Sequence, residues 1–76
     1  MYYVYCLQHR KTSELYYGYS ADLRRRSEEH GKFWKLVYYE AYLSKTDAEN
    51  RERKLKQYGQ ARTHLKNRMV NSLSDK

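Results

Sequence analysis

Apolar and polar residues alternate along three short segments of the chain, and this period of two predicts β-strands. The predicted strands cover residues 2–7, 15–19 and 35–42, where tyrosine, leucine and valine are frequent. In the first segment the alternation places Tyr3, Tyr5 and Leu7 on one face, and Tyr2, Val4 and Cys6 on the other. The polar segment 8–14 is predicted to be the loop of a hairpin that joins the first two strands.

A first helix is predicted over residues 21–30, after a turn at Gly18 that ends the second strand. Ser20 is the predicted N-cap, because a serine hydroxyl can accept a hydrogen bond from an unpaired amide of the first turn. Asp22 would then lie in the first turn, where its charge suits the helix dipole. Gly31 follows the last helical position, as a C-terminal glycine does.

The spacing of Leu23, Arg26 and His30 places these three residues on one face of that helix. Leu23 is predicted to point into the core, which would hold Arg26 and His30 at the edge of the buried surface, near the tyrosines of the second strand. A guanidinium, an imidazole and phenols would thus lie together where the second strand leads into the first helix. This combination of groups is typical of sites that act on phosphates. Each residue alone also has a structural explanation. Arg26 belongs to a run of arginines typical of a solvent-exposed helix face, and His30 near the helix C-terminus can interact favourably with the helix dipole.

Two further helices are predicted in the second half of the chain. The first begins at a capping box, Ser44-Lys45-Thr46-Asp47, and ends at Tyr58 before Gly59. The second covers residues 60–71, with Ala61, Leu65, Met69 and Leu73 on one face, and residues 74–76 are predicted to fray. The order β-β-α-β-α-α predicts an α+β (mixed α/β) fold, a three-stranded sheet flanked by helices, in a single domain over residues 1–76.

Glu52 is the polar residue whose position is unexpected. It lies on the same helical stripe as Ala48, Leu55 and Tyr58, which are the predicted core positions of the second helix. Carboxylates are rarely buried unless they are paired or bind a metal. Glu52 is therefore predicted either to pair with a cation, for which Lys56 at i+4 is placed, or to hold a metal ion at the rim of the core.

Composition narrows the class of partner. Sixteen Lys and Arg against nine Asp and Glu give a net charge of +7, which favours a polyanion such as DNA or RNA, or an anionic membrane surface. No apolar run approaches the ~18 residues of a transmembrane helix, and the first residues do not resemble a signal peptide. A single cysteine and three histidines exclude an internal disulfide and a structural zinc site. We therefore expect a cytoplasmic protein that is not embedded in a membrane.

Together these residues resemble the GIY-YIG nucleases, and in particular small bacterial members related to the N-terminal nuclease domain of excinuclease C. Tyr3-Val4-Tyr5 matches the first motif, with Tyr3 in place of the glycine, and Tyr16-Tyr17-Gly18 matches the second. Arg26 and His30 match the arginine and the His or Tyr four residues later. Glu52 matches the family's metal-binding glutamate, and Lys56 follows at a position that is commonly basic.

The resemblance implies a DNA endonuclease that uses one divalent metal ion, Mg²⁺ or Mn²⁺, and an association with DNA repair. Glu52 would ligate the metal, and Arg26 would bind the scissile phosphate. Tyr5 or Tyr16 would accept a proton from the attacking water, His30 would orient that tyrosine, and a nearby cation would lower the tyrosine's pKa. The nucleic acid would also be contacted by two basic residues, Arg25 and Lys56.

The residues leave several alternatives open. The chain could be a noncatalytic nucleic-acid-binding module on the same scaffold, or a protein-interaction domain with a tyrosine-rich face. The connection between His30 and Trp34 is shorter than in many relatives, and we expect no additional module that would supply sequence recognition. We therefore expect a monomer that is structure-selective or nonspecific, or that depends on a protein partner for targeting.

Overall fold

A computed structural model describes residues 1–74 of the chain. The three strands are β1 (Tyr2–His9), β2 (Leu15–Ser20) and β3 (Trp34–Tyr42). They form one sheet in the order β2-β1-β3, in which β1 pairs antiparallel with both neighbours. The predicted α+β class and three-stranded antiparallel sheet are confirmed. The first strand runs further than predicted, because Gln8 and His9 continue the pairing with β3.

The helices are α1 (Leu23–Glu29), α2 (Lys45–Gln57), α3 (Gly59–Arg68) and α4 (Val70–Ser74). The predicted helix over residues 60–71 is therefore divided, because Met69 lies outside helical geometry, with φ of −103° and ψ of 14°. Its apolar face is nevertheless as predicted: Leu65 and Met69 are buried, and Ala61 and Leu73 pack against the same core. Of the terminal residues predicted to fray, Asp75 and Lys76 lie outside the described residues.

The N-terminus of α1 differs from the prediction. Asp22, not Ser20, is the N-cap, and its carboxylate accepts a hydrogen bond from the backbone N–H of Arg25 at 3.1 Å. The Ser20 hydroxyl instead bonds the backbone N–H and carbonyl of Asp22, both at 2.9 Å. Gly18 also does not form a turn, since it lies within β2 opposite Tyr5. The C-terminus of α1 is as predicted. Gly31 has a φ of +87°, which favours glycine, and its N–H donates to the carbonyl of Glu28.

The sheet has two faces with different roles. On one face Val4, Cys6 and Tyr17 pack against buried residues of α2 and α3 and against Met69. Tyr5 and Leu7 are also buried but point to the opposite face, where α1 lies. The predicted alternation in the first strand is thus confirmed.

Two predicted core residues are more exposed than expected. Tyr58, at the end of α2, is 59% exposed, whereas Ala48 and Leu55 of the same stripe are buried. Leu23 is only partly buried, and α1 contributes no buried residue at all. Leu23 is the only apolar residue in the sequence of this helix, so α1 has one apolar side chain to pack on the sheet.

An ion pair joins α2 to β3 on the core side. Arg51 binds Glu40 through two hydrogen bonds of 2.9 Å, and the hydroxyls of Tyr38 and Tyr42 donate to the same carboxylate. Burial alone would raise the pKa of Glu40, but these hydrogen bonds outweigh it and hold the pKa below its ordinary value. The arrangement fixes the helix that carries Glu52 against the sheet.

Candidate active site

The site begins where the ring of Tyr5 crosses over Gly18. Tyr5 of β1 is opposite Gly18 of the edge strand β2, so their side chains would share the α1 face. A Cβ at position 18 would collide with the hydroxyl end of the Tyr5 ring. The absence of a side chain at Gly18 therefore lets the Tyr5 hydroxyl reach across β2 towards the edge of the sheet.

Three rings meet at this point. The Tyr5 hydroxyl lies 3.5 Å from Nε2 of His30, at the limit of a hydrogen bond. The ring of Tyr16, from β2, lies 6.4 Å from that of Tyr5 and 4.8 Å from that of His30. The His30 ring is held there because α1 ends against the sheet, with His30 as its C-cap. Two strands and one helix thus bring Tyr5, Tyr16 and His30 together.

Arg26 borders this group from the preceding turn of α1. Its guanidinium is half exposed and lies 3.6 Å from the carboxylate of Glu29, which also pairs with Arg25 at 3.3 Å. These are exposed pairs, which contribute little to stability and are easily exchanged for another anion. Arg26 is close enough to Tyr5 to act on its ionisation, whereas Arg25 is further out on the helix surface, 77% exposed.

Glu52 reaches the same edge of the sheet from α2. Its carboxylate forms an ion pair with Lys56 at 3.3 Å, the i+4 pairing that the sequence allows. The Lys56 ammonium in turn lies 5.8 Å from the centre of the Tyr16 ring. The glutamate side chain is 25% exposed, which makes it more buried than its lysine partner. The Glu52 side chain is thus mostly buried, and its charge is close enough to Tyr5 to raise the pKa of that hydroxyl.

Burial raises the pKa of Tyr5 to about 12, and the neighbouring phenol of Tyr16 adds to this effect. Arg26 acts in the opposite direction, and Glu52 raises the pKa further. The expected lowering by a cation is thus present but outweighed by burial. Tyr5 is protonated at neutral pH, so its hydroxyl has a proton to donate as well as a lone pair to accept one.

One carboxylate at this edge is of the kind that a hard divalent cation binds. Among residues 1–74 there is no cluster of three or more His, Cys, Asp and Glu that could enclose a metal. Magnesium, however, is commonly held by one or two carboxylates, together with waters and substrate phosphates. Glu52 offers one such carboxylate, which in this structure pairs with the Lys56 ammonium at 3.3 Å.

Some residues of this region were not identified from the sequence as part of the site. Trp34, the first residue of β3, lies 6.5 Å from the His30 ring and 6.4 Å from the Tyr16 ring. Gly18 was predicted as a turn residue and as the glycine of the second motif, but its role in making room for the Tyr5 ring was not predicted. The information that was missing is the strand register, that is, which residues of neighbouring strands lie opposite each other. It cannot be read from the pattern of a single strand.

The part of the chain that the structure describes contains no helix with the length and apolar character needed to cross a membrane. No curated protein and no solved structure matches the chain. The family model described as GIY-YIG catalytic domain matches residues 1–67, a range that includes every residue of the site described above. The chain therefore belongs to the GIY-YIG family of nuclease domains.

Proposed function

We propose that this chain is a metal-dependent endonuclease that hydrolyses phosphodiester bonds in DNA. The observation that carries the proposal is the position of the Tyr5 hydroxyl. It lies 3.5 Å from His30 Nε2, and both Arg26 and Glu52 are close enough to act on its pKa in opposite directions. A tyrosine packed only for stability has no need of an imidazole at its hydroxyl and of a guanidinium and a carboxylate within electrostatic range.

In the proposed mechanism Arg26 binds the scissile phosphate and stabilises the negative charge that grows in the transition state. Its side chain is half exposed and leaves Glu29 when the phosphate enters. The attacking water gives a proton to the Tyr5 hydroxyl as the water oxygen bonds to phosphorus. The bond between phosphorus and the leaving oxygen then breaks, and the leaving oxygen takes a proton from solvent water. Tyr5 passes its own proton to Nε2 of His30. Because it loses one proton as it gains another, Tyr5 does not have to be ionised beforehand, and its raised pKa is compatible with this role. The alternative base is Tyr16, which is 40% exposed and also contacts His30.

Glu52 would hold the divalent metal, Mg²⁺ or Mn²⁺. Bound there, the metal would neutralise charge on the phosphate and stabilise the leaving oxygen. Lys56 would give up its pairing with Glu52 and contact the nucleic acid together with Arg25, since both ammonium and guanidinium groups are well exposed.

We also propose the narrower assignments that the motifs favour. The chain is a single nuclease domain, a monomer, similar to the N-terminal nuclease domain of excinuclease C and associated with DNA repair. It acts in the cytoplasm on DNA structure or nonspecifically, or is targeted by a protein partner. The net charge of +7 supports a polyanionic substrate.

The test is conversion of supercoiled plasmid to nicked circles with Mg²⁺ or Mn²⁺. Glu52→Gln and Arg26→Ala should each reduce the rate by about 100-fold or more, the order expected when a group that stabilises transition-state charge is removed. Glu49→Gln and Arg24→Ala are matched controls, since they change the same residue types at exposed positions of α2 and α1. Both controls should nick at the wild-type rate.

A noncatalytic nucleic-acid-binding module is the second candidate, favoured by the Lys56 ammonium that already neutralises Glu52. Equal, low nicking by the wild type and all four variants would indicate a contaminating nuclease and support this candidate. In that case DNA binding should persist without metal and weaken as salt is added.

A further inference from the structure

A second cluster of rings lies beside the site, at the end of the sheet where the β1–β2 loop meets the connection from α1 to β3. We call it the Phe33 platform, and it consists of His9, Phe33 and Trp34 with the basic residues Arg10, Lys11 and Lys32. The His9 ring is stacked on Phe33 at 6.0 Å and meets Trp34 edge-on at 5.0 Å. Phe33, the only phenylalanine in the chain, is 43% exposed, although its side chain is a large apolar ring.

The platform is held in place by the backbone. Arg10 donates from its backbone N–H to the carbonyl of Phe33 at 2.7 Å, and from Nε to the carbonyl of Lys32 at 2.8 Å. Nδ1 of His9 accepts hydrogen bonds from the backbone N–H groups of Lys11 and Thr12, both at 3.2 Å. The imidazole therefore carries its ring proton on Nε2 and has a fixed orientation. The exposed ring of Phe33 is thus presented on a rigid support.

Positive charge surrounds this ring. The Lys11 ammonium lies 4.9 Å from the centre of the Phe33 ring and that of Lys32 lies 5.6 Å from it. An exposed aromatic ring between cations on flexible stems is the combination that binds single-stranded nucleic acid, because the ring stacks on a base and the cations meet the phosphates. An incoming base would take the place of an ammonium on the ring, and that ammonium would move to a phosphate of the same strand.

The platform is continuous with the candidate active site. Trp34 joins the two, because its ring lies 5.0 Å from His9 on one side and 6.4 Å from Tyr16 on the other. A strand whose phosphate is at Arg26 would therefore pass Tyr16 and Trp34 before it reaches Phe33. The bases of an intact duplex are stacked on each other and cannot stack on Phe33, whereas an unpaired base can.

We propose that the Phe33 platform stacks an unpaired base of the strand whose scissile phosphate is at Arg26, beyond Trp34, so that the substrate of this site is single-stranded or locally unpaired nucleic acid. This inference rests on the proposed nuclease function for the position of the scissile phosphate. The binding it predicts does not require cleavage and can be measured separately.

Binding is measured by fluorescence anisotropy in EDTA, with a labelled strand of about 12 nucleotides, within the ~4–16-nucleotide range typical of single-strand sites. The duplex of the same sequence is the comparison ligand. Phe33→Ala should weaken binding of the single strand by about 5- to 100-fold, the range seen when a stacked base loses its aromatic partner. Binding of the duplex should change by less than about twofold, and Phe33→Tyr should restore wild-type affinity because it keeps the ring.

Two further variants separate stacking from charge and from folding. Lys32→Ala should lower the slope of log affinity against log salt for the single strand by about 0.7, the value for one lost phosphate contact, whereas Phe33→Ala should leave this slope unchanged. Leu43→Ala, which truncates an apolar residue that is 83% exposed beyond the other end of β3, should bind like the wild type.

Wild-type affinity of Phe33→Ala for the single strand, or an equal loss for strand and duplex, would overturn the proposal. If Phe33→Ala binds and nicks like the wild type, the platform is wrong and the nuclease function stands. If the wild type never nicks but Phe33→Ala still loses single-strand binding, the nuclease function fails and the platform stands as a binding site.

Discussion

At the scale of single residues, the glycine of the second motif has a steric explanation. Tyr5 and Gly18 are opposite each other on paired strands, and the Tyr5 ring occupies the space in which a side chain of residue 18 would stand. Gly18 has no left-handed φ and forms no turn. The glycine is therefore required by the close approach of a ring and not by backbone conformation.

Gly18→Ala should move the Tyr5 hydroxyl away from His30 and reduce plasmid nicking by about tenfold or more. The added methyl group should also overpack this part of the sheet and lower the free energy of unfolding by about 1–3 kcal/mol. Gly59→Ala is the matched control, since a Cβ there would meet only the Arg62 guanidinium at 3.8 Å. Thermal unfolding of both variants, beside nicking rates, checks the expectation. Wild-type activity of a folded Gly18→Ala protein would show that the position of Tyr5 does not matter for cleavage.

At the scale of secondary structure, α1 depends on its ends. It carries Arg26 and His30 yet has no buried residue, so it gains little from packing. Hydrogen bonds close both ends: the Asp22 carboxylate caps the first turn, and the Gly31 N–H donates to the Glu28 carbonyl. The helix that supplies two proposed site residues is therefore held with less buried side-chain packing than α2, which buries Ala48 and Leu55.

Asp22→Ala should release the first turn of α1, at a cost of about 1 kcal/mol. Hydrogen exchange at the α1 amides should become roughly fivefold faster, since 1.4 kcal/mol corresponds to a factor of ten. Asp22→Asn keeps the acceptor oxygen and should exchange like the wild type. Unchanged protection in Asp22→Ala would mean that contacts with the sheet, and not the cap, order this helix.

The type of each element was predictable from the sequence, because helices and strands differ in the period of their apolar residues. The boundaries were less predictable, because they depend on contacts between elements. The alternation in β1 correctly separated the Val4 and Cys6 face from the Tyr5 and Leu7 face. Tyr58 fits the stripe of α2 but lies beyond the last helical residue, where the backbone is extended and the ring turns out to solvent. The Phe33 platform was not predicted, since its rings meet only where His9 pairs with Trp34 across β1 and β3, and where the loop before β3 carries Phe33.

At the scale of the whole molecule, stability should decline in alkali. Burial raises the pKa of Cys6 from its ordinary 9.0 to about 12, and burial likewise raises the pKa values of Tyr5, Tyr17 and Tyr42 from 10.0 to about 12. Above the ordinary value the unfolded chain has lost the proton that the folded chain keeps. The stabilisation is complete below about pH 9 and is lost as the pH rises towards 12.

Urea unfolding at pH 7, 9, 10 and 11 should therefore give free energies that are level at first and then fall, by about 1.4 kcal/mol per pH unit for each group that titrates. Cys6→Ala should remove most of the decline between pH 9 and 10, because only the thiol has an ordinary pKa that low. A free energy of unfolding that rises from pH 9 to 11 would contradict this prediction.

The two-faced sheet also bears on how such a small protein can change. One side of the strands is occupied by the packing that keeps the chain folded, and the other presents the groups that would meet a substrate. Substitutions on opposite sides touch different neighbours, so their effects should combine additively. Selection for a new specificity could therefore explore the outer side extensively while the inner side continues to support folding.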